Sequence, residues 1–297
     1  MRASVFNKLV MCAVAALVAF GLRADSARTA AKDGAGVKHY GYWLHGKNMK
    51  DVDLGLLSSS GTTDVFLHEY AVTKHGLGEV ESWIAKANAA GIKIHIWTQV
   101  FYNGGWINPV KDGTLDAALF DERIGRAKRA AQIKGVAGVH FDYLRYPGTA
   151  YKTAGGTGAV SEFARRAAAQ LHQVNSNLVV SVALMPETTS SEYYYGQDYA
   201  AISKHMDVVI PMIYKGNYKK ESPWIAATTK WYVENSKGAK VWAGLQGYKS
   251  DEDTSPLPAS EIAADAELSF GAGSDGVVIF RWGVTNLITS RKPAEID

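Results

Sequence analysis

The sequence contains a single cysteine, Cys12, among 297 residues, and it lies in an apolar run near the amino terminus. Residues 1–31 have the layout of a secretory signal peptide: basic residues at the start, an apolar run too short to span a bilayer, and then small residues. Without this segment the chain has no cysteine, which excludes disulfides, thiolate metal ligands and a cysteine nucleophile. We therefore predict a secreted or periplasmic protein with no stable membrane association.

The chain also has little excess of charge of either sign. Its formal net charge is +3, but most of the excess lies in the predicted signal peptide, whose removal leaves 28 basic and 28 acidic residues. A near-neutral domain gives no electrostatic reason to expect binding to nucleic acid or to an anionic membrane. Aromatic residues, in contrast, are numerous: 15 tyrosines and 8 tryptophans supply flat faces for sugars or other ring-bearing ligands.

After the predicted signal peptide, strand-like and helix-like segments alternate. Several strand candidates are almost continuous apolar runs, as expected of parallel strands covered on both faces. Eight strands and seven helices in about 260 residues match a single (β/α)8 barrel, the TIM-barrel fold. The predicted strands are 37–45, 63–70, 92–99, 138–144, 178–185, 207–214, 240–246 and 275–282, and the predicted helices are 47–59, 78–90, 116–133, 158–174, 197–205, 222–236 and 258–271.

A doubly wound open sheet is the main alternative to the barrel. Such sheets usually have fewer strands and a glycine-rich turn after the first strand, which this sequence lacks. We therefore predict an α/β protein with one catalytic (β/α)8 domain over residues 32–297. Its substrate loops are expected in the longer connections after strands, residues 100–116, 146–158 and 186–197.

The segment 138–147, GVHFDYLRYP, is the most informative part of the chain. It begins as a buried strand and ends in the polar side chains of Asp142, Arg145 and Tyr146. A charged residue at the end of an apolar strand is expensive to bury, so it is either paired or catalytic. We predict that Asp142 is the catalytic nucleophile or base, and an Asp142–Arg145 pair that only orders the loop is the alternative.

Two glutamates at the ends of other predicted strands are candidates for a second catalytic carboxylate. Glu187 follows strand five directly after Pro186 and could serve as the acid with a raised pKa. Glu69 ends strand two and could replace Glu187 or only orient the other groups. An inert, solvated glutamate is the alternative for Glu187, and sequence spacing does not rank the two candidates.

Further residues near the predicted strand ends are candidates for binding the substrate. Tyr214 could hydrogen-bond the reacting sugar or the nucleophile, although an ordinary buried aromatic fits the pattern equally well. Trp97, Tyr102 and Trp106 surround a Gly-Gly pair and form a possible stacking patch. The predicted substrate-binding residues are Arg145, Tyr146, His68, Trp97, Gln99, Tyr102, Tyr214, Lys215, Gln246, Arg281 and Trp282.

The sequence gives little support for a metal or another cofactor. Four histidines lie on predicted strands, but the first strand has no His-x-His pair, and the His-x-Asp of His140 and Asp142 stands alone. Neither a Gly-x-Ser-x-Gly elbow nor a Walker loop is present. We predict no metal and no cofactor, with a metal-dependent amidase or deacetylase as the less favoured alternative.

The segment His140–Pro147 resembles the fourth strand of a glycoside-hydrolase-like barrel family, which typically reads His-x-Asp-Tyr-x-Arg-Tyr-Pro. The resemblance extends from about Tyr40 to Trp282 and includes the segments 185–187 and 211–214. It implies a polysaccharide-active barrel in which Asp142 is the first catalytic candidate. The Pro-Met-x-Tyr of strand six also resembles chitinase-type barrels, but their Asp-x-x-Asp-x-Asp-x-Glu signature is missing, so acetamido-assisted chemistry is not implied.

These observations together predict a monomeric glycoside hydrolase that cleaves a cell-envelope or environmental polysaccharide by two-carboxylate acid/base chemistry. Its expected partner is a polysaccharide or oligosaccharide substrate. A non-catalytic carbohydrate-binding barrel, which kept the aromatic residues and lost the chemistry, is the alternative from another class. Retention or inversion depends on whether the carboxyl groups are about 5 Å or about 6.5–9.5 Å apart, which the sequence does not determine.

Overall fold

The computed structural model describes residues 36–288. The predicted signal peptide, residues 1–31, lies outside this range. The chain divides into a unit that ends at Val37 and a unit that begins at Lys38, and every element named below belongs to the second. Within the described range, no helix is long and apolar enough to cross a membrane.

Eight parallel strands form a closed barrel in the second unit. Each strand pairs with the next one along the chain, and the last pairs with the first. The structure thus confirms the predicted TIM-barrel fold, and each of the eight predicted strands is present. The barrel strands are β1 (His39–Leu44), β2 (Asp64–His68), β3 (Lys93–Gln99), β4 (Gly138–Asp142), β5 (Val179–Leu184), β6 (Val208–Ile213), β7 (Lys240–Gln246) and β8 (Gly276–Phe280).

Helices occupy the connections between consecutive strands. They are α1 (Leu54–Ser59), α2 (Tyr70–His75), α3 (Leu77–Ala89), α4 (Ala117–Ala131), α5 (Gly156–Val174), α6 (Ser191–Tyr195), α7 (Tyr199–Ser203), α8 (Ser222–Asn235) and α9 (Ala259–Gly271). Short 3-10 helices, Gly46–Asp51 and Ala150–Lys152, follow β1 and β4. A small hairpin of Val110–Lys111 and Thr114–Leu115 follows β3.

The connection after β1 differs from the prediction of one helix over residues 47–59. A 3-10 helix ends at Asp51, the backbone of Val52 is extended, and α1 then starts afresh at Leu54. The carboxylate of Asp53 accepts a hydrogen bond from the Leu56 backbone N–H at 2.9 Å. This side chain caps a new helix start, so the local hydrogen bonding favours two short helices over one continuous helix.

Two short helices also lie where the sequence predicted none. The predicted strand over residues 63–70 ends early at His68, because the backbone of Glu69 turns into a helical conformation and α2 begins at Tyr70. Within the predicted loop 186–197, α6 forms one short turn of helix. Both segments are too short to show a helical repeat of apolar residues, which explains why sequence patterning missed them.

The inside of the barrel is filled with side chains, including a buried polar cluster near the amino-terminal ends of the strands. The carboxylate of Asp64, which is fully buried, lies 2.7 Å from His39 Nδ1 and 2.8 Å from His95 Nε2. It also accepts a hydrogen bond from the Thr63 hydroxyl at 2.6 Å. In (β/α)8 barrels this end of the strands serves stability and the opposite end carries the active site.

Candidate active site

A pocket of about 400 Å³ opens at the carboxyl ends of the barrel strands. Its volume lies within the usual range for small-molecule sites, and this end of the barrel is where (β/α)8 enzymes place their chemistry. Strands and the loops that follow them both contribute to its walls. The lining residues are Trp43, His45, Trp97, Gln99, Asp142, Tyr143, Arg145, Ala183, Met185, Met212, Tyr214, Asn217, Tyr218, Tyr248, Asp251 and Phe280.

Asp142, the last residue of β4, presents its carboxylate to this pocket. Its Oδ2 accepts a hydrogen bond from Trp97 Nε1 at 3.1 Å, and its Oδ1 accepts one from the Tyr143 backbone N–H at 2.7 Å. Burial raises the pKa of Asp142, and this effect outweighs the hydrogen bonds and the charge of Arg145, which lower it. A carboxyl group that keeps its proton to higher pH than usual is suited to general acid catalysis.

The guanidinium of Arg145 is held among aromatic rings at the edge of the pocket. Its Cζ lies 4.7 Å from the ring centroid of Trp106, 5.4 Å from that of Tyr143 and 5.6 Å from that of Tyr195. One of its nitrogens also donates a hydrogen bond to the Tyr146 carbonyl at 3.1 Å. The rings fix the position of a positive charge that acts on Asp142, since cations bind favourably over aromatic faces.

A second carboxylate in the same pocket belongs to Asp251, on the loop after β7. Its Oδ1 accepts a hydrogen bond from the Tyr248 hydroxyl at 2.8 Å, and its Oδ2 accepts one from Asn217 Nδ2 at 2.8 Å. Asn217 in turn accepts a hydrogen bond from Gln246 Nε2 at 2.9 Å. This network ties the loops after β6 and β7 together and holds Asp251 in place.

Asp251 is not recognisable from the sequence, because it lies in a polar stretch, SDED, that resembles any solvated loop. Three acidic residues stand within three positions there, so composition alone does not single out one of them. Tyr248, which the structure places against Asp251, follows the end of β7 and is the local signal that could have drawn attention to this loop. The specific partner, Asn217, comes from a different strand end and leaves no trace in the local sequence.

The phenol of Tyr214 is influenced by the charges of both pocket carboxylates. Burial raises its pKa well above the ordinary value, and the charges of Asp142 and Asp251 raise it further. The pKa of Tyr143 is raised by burial and by the same two carboxylates. Tyr214 therefore stays protonated as a hydrogen-bond donor, and the two acidic groups act on one small volume.

His45, just after β1, is a further lining residue. Burial lowers the pKa of His45 to about 4, and the positive charges of Arg281 and Lys47 lower it further. The imidazole is therefore neutral near pH 7. It packs beside the ring of Trp97 with a centroid distance of 5.5 Å, so it adds a polar edge to an aromatic wall without adding charge.

Glu187, predicted as the acid, lies in an adjoining depression and does not line the pocket that contains Asp142. Its Oε1 accepts hydrogen bonds from the Tyr195 hydroxyl at 2.9 Å and the Tyr218 hydroxyl at 2.6 Å. The depression has a volume of about 440 Å³, and Tyr218 lines both it and the pocket. The loop after β5 thus turns Glu187 toward the hydroxyls of two tyrosines.

Glu69, the other predicted carboxylate, is held by an arginine and does not line the pocket either. Its carboxylate accepts hydrogen bonds from both Nε and a terminal nitrogen of Arg126, the Nε contact being 2.5 Å. The Gln99 backbone N–H lies 3.4 Å from the same carboxylate. This two-point ion pair links the end of β2 to α4. It fits the second role that the sequence allows for Glu69, which is to orient other groups.

Among the predicted substrate-binding residues, Trp97, Gln99, Arg145 and Tyr214 line the pocket. The structure does not bring Lys215 there, because its ammonium pairs with Glu261 at 2.8 Å and with Asp265 at 2.7 Å on α9. Gln246 is only 3% exposed and acts behind the wall by holding Asn217. Its amide therefore positions the loop after β6.

The remaining predicted residues lie behind or beside the pocket. His68 packs edge-on against Trp97, and Tyr102 stacks on Tyr143 at a centroid distance of 4.8 Å. Tyr146 is buried, and its hydroxyl donates a hydrogen bond to Asn108 Oδ1 at 2.9 Å. The guanidinium of Arg281 lies 6.0 Å from the ring centroid of Phe280, and Trp282 meets the ring of Tyr42 edge-on.

Possible metal ligands do not converge in the part of the chain that the structure describes. Between residues 36 and 288, no three side chains of His, Cys, Asp or Glu are grouped so that they could hold a metal ion. The polar side chains that line the pocket include carboxylates, phenols, amides, an imidazole and a guanidinium.

The fold and the pocket together define a (β/α)8 barrel with two carboxylates among aromatic walls, an arrangement that suits glycosidase chemistry. A family model, DUF4015, described as "Putative glycosyl hydrolase domain", matches residues 73–237. The chain belongs to this family, which supports a glycosidase-type function. Among curated proteins, no sequence matches this chain significantly.

Solved structures with a similar fold include several glycoside hydrolases. A class V chitinase from Pseudomonas fluorescens Pf-5 has a TM-score of 0.61 and 16% identity over 84% of this chain and 96% of its own. An endo-1,4-β-D-mannanase from Thermotoga petrophila RKU-1 has a TM-score of 0.61 and 13% identity over 82% of this chain and 88% of its own. A spore cortex-lytic enzyme from Bacillus megaterium QM B1551 has a TM-score of 0.57 and 14% identity, over 83% and 71%. At these identities the similarity shows the fold.

Proposed function

We propose that this protein is an exported, monomeric glycoside hydrolase that cleaves glycosidic bonds of a cell-envelope or environmental polysaccharide. The observation that carries the proposal is the presence of Asp142 and Asp251 in one aromatic-walled pocket at the carboxyl end of the barrel. Membership of a glycosyl hydrolase family supports the reaction class. The signal-peptide layout of residues 1–31 supports export.

The surroundings of the two carboxylates suggest different roles for them. Asp142 is enclosed, and its raised pKa suits a general acid that donates its proton to the leaving glycosidic oxygen. The sequence predicts that Asp142 is the nucleophile or base, whereas its burial favours the acid role. Asp251 is exposed to solvent, and hydrogen bonds from a hydroxyl and an amide hold its carboxylate in position. Asp251 then attacks the anomeric carbon or removes a proton from the attacking water.

The other pocket residues fit the binding of one sugar ring. The protonated phenol of Tyr214 donates a hydrogen bond to a sugar oxygen between the two carboxylates. Phe280 supplies an apolar surface for a ring face, and Trp43 and Trp97, which are 2% and 3% exposed, back the apolar wall. The charge of Arg145, held over its aromatic rings, keeps the pKa of Asp142 from rising further.

The proposal is tested by incubating purified protein with chitin, β-1,4-mannan and peptidoglycan and measuring new reducing ends. Wild-type protein is expected to release reducing ends from at least one of these polymers. Asp251→Asn is expected to lower kcat by about 10²-fold or more, because it removes the proposed nucleophile or base. Glu187→Gln is expected to keep kcat within about threefold, because Glu187 lies outside the pocket.

Melting temperatures of both variants show whether any loss of activity reflects unfolding. A wild-type protein that binds one of the polymers but releases no reducing ends would instead favour the non-catalytic carbohydrate-binding barrel. A large loss with Glu187→Gln and none with Asp251→Asn would return the second catalytic role to Glu187.

The pH profile of kcat/KM should show the raised pKa of Asp142. A general acid works only while protonated, so activity is expected to persist above the ordinary carboxyl range of about 4 and to fall as the pH rises through the raised pKa. In Arg145→Gln, the loss of a positive charge that lowers this pKa should move the falling limb to higher pH, whatever happens to kcat. An unchanged limb, or one that moves to lower pH, contradicts the acid role.

A further inference from the structure

Three exposed tyrosines form a compact cluster on the loops after β4 and β5. Tyr151 lies in the 3-10 helix Ala150–Lys152 and is 50% exposed, while Tyr193 and Tyr194 lie on α6 and are 56% and 44% exposed. Exposed aromatic side chains that gather at one place on a surface usually mark an interaction site. We call these three residues the tyrosine platform.

The rings of the platform are ordered by one another. Those of Tyr151 and Tyr193 are stacked with centroids 4.8 Å apart and an interplanar angle of 1°. Tyr194 stands at 89° to Tyr193 with a centroid distance of 5.0 Å. Each contact restricts the motion of a ring that is still open to solvent. Binding of a ligand here would therefore cost little further side-chain entropy of the protein.

The two loops that carry the platform are joined to each other and to the site. The Tyr146 backbone N–H, in the loop after β4, donates a hydrogen bond to the Tyr195 carbonyl, in the loop after β5, at 2.9 Å. The ring of Tyr195 lies 6.3 Å from that of Tyr194 on one side and 5.6 Å from the Arg145 guanidinium on the other. Since Arg145 lines the pocket, a continuous row of side chains leads from the pocket to the platform.

We propose that the tyrosine platform is a distal subsite that binds sugar rings of the polysaccharide several residues away from the bond that is cleaved. This inference rests on the proposed function, because it assigns the occupant of the platform as a further part of the same substrate. Neither a cofactor nor a second protein is required to explain its position beside the pocket.

The chemistry of the platform suits a neutral, extended sugar chain. A pyranose ring presents a face of C–H groups that packs on an aromatic face, and its hydroxyls can bond the phenol hydroxyls at the ring edge. Lys152, whose ammonium lies 5.6 Å from the Tyr151 centroid, is the charged neighbour among these contacts. An extended, β-1,4-linked chain is the substrate shape that would follow the row of side chains from the pocket to these rings.

The test compares wild-type protein with Tyr151→Ala/Tyr193→Ala in two assays. The first assay is affinity electrophoresis through gels that contain glycol chitin or glucomannan. The double variant is expected to bind the polymer that retains the wild-type protein about tenfold more weakly. In hydrolysis assays, its KM for the polymer should rise by a similar factor, while kcat/KM for the matching trisaccharide should stay within about twofold. The trisaccharide is expected to bind across the cleaved bond in the pocket and to make few of the contacts that the polymer makes with the platform.

Two further variants serve as controls. Tyr151→Phe/Tyr193→Phe keeps the rings and is expected to retain most of the polymer binding. Leu268→Ala removes an apolar side chain of similar exposure, 38%, on α9 and should have no effect on either assay. Because all three substituted positions, Tyr151, Tyr193 and Leu268, are exposed, melting temperatures are expected to change little.

The outcomes separate this inference from the proposed function. If the polymer retains the wild-type protein but not the alanine variant, and no reducing ends are released, the result supports the platform inference and contradicts the proposed hydrolase activity. Hydrolysis with equal polymer binding by both proteins overturns the platform and leaves the hydrolase intact. The platform inference is also overturned if neither polymer retains the wild-type protein. It is overturned as well if the wild-type protein is a dimer and the alanine variant is a monomer, because the platform would then bind a second copy of the chain.

Discussion

Replacing Asp142 by Asn is expected to lower kcat for glycan cleavage by about 10²–10⁴-fold, the range that a positioned general acid contributes. The amide has no proton to give to the leaving oxygen, so the bond must break with an unprotonated leaving group. Binding should change much less, since the amide has nearly the shape of the carboxylic acid. Single-turnover rates with saturating substrate and a binding assay with the same glycan would separate the two effects.

The stability of this variant needs its own measurement. Both Trp97 Nε1 and the Tyr143 backbone N–H donate hydrogen bonds to Asp142, and an asparagine offers one acceptor oxygen in place of two. An unpaired buried donor costs about 1–3 kcal/mol, partly offset because a neutral amide is easier to bury than a charge. Glu234→Gln, on the exposed side of α8, is the matched control. Full activity of Asp142→Asn in a folded protein would remove Asp142 from the mechanism.

Replacing Asp64 by Asn is expected to destabilise the fold by about 3–5 kcal/mol, the usual cost of removing one partner from a buried charged cluster. Its carboxylate is fully buried and contacts His39 and His95 at 2.7 and 2.8 Å. An amide nitrogen would face one of these imidazoles in place of an acceptor oxygen. For a domain of this size, the change corresponds to a drop in Tm of about 10 °C, which thermal unfolding would measure.

The destabilisation should depend on pH in a defined direction. Burial by itself would raise the pKa of Asp64, but the hydrogen bonds with His39 and His95 hold it well below its usual range. A folded pKa below the unfolded value means that the carboxylate contributes stability above about pH 4 and loses it as the pH falls further. The difference in unfolding free energy between wild type and Asp64→Asn should therefore be full at pH 7 and shrink in acid.

A surface aspartate provides the comparison for this experiment. Asp121→Asn, on the exposed face of α4, should leave the unfolding free energy within about 0.5 kcal/mol of wild type at pH 7. If Asp64→Asn unfolds at the same temperature as Asp121→Asn, the buried cluster does not stabilise the barrel. A difference that grows as the pH falls would show that the sign assigned to the pKa shift is wrong.

The strands and the first catalytic candidate could be predicted because both depend on local patterns. Near-continuous apolar runs mark strands that are covered on both faces, and the barrel places such runs between its interior and its helices. Asp142 is recognisable because it ends one of these runs, and β4 ends at this residue in the structure. The carboxyl ends of parallel strands meet at one rim, so polar residues at those ends, such as Gln99 and Tyr214, could be placed near the pocket.

The proposed partner carboxylate, that of Asp251, could not be predicted in the same way. Glu187 and Glu69 also follow strands, but their orientation depends on which hydrogen-bond donors the adjacent loops and helices bring. The hydroxyls of Tyr195 and Tyr218 hold Glu187 in the adjoining depression, and Arg126 holds Glu69 from 57 positions away.

The amino-acid sequence by itself determined the alternation of strands and helices, the closed barrel and the rim at which Asp142 ends its strand, because these follow from burial and backbone periodicity over a few residues. The tertiary structure alone decided that Asp251 shares the pocket and that the two glutamates do not. Loop residues make their decisive hydrogen bonds across different strand ends, as Asp251 does with Asn217 at 2.8 Å. Contacts of this kind depend on distances in space that no local pattern of residues encodes.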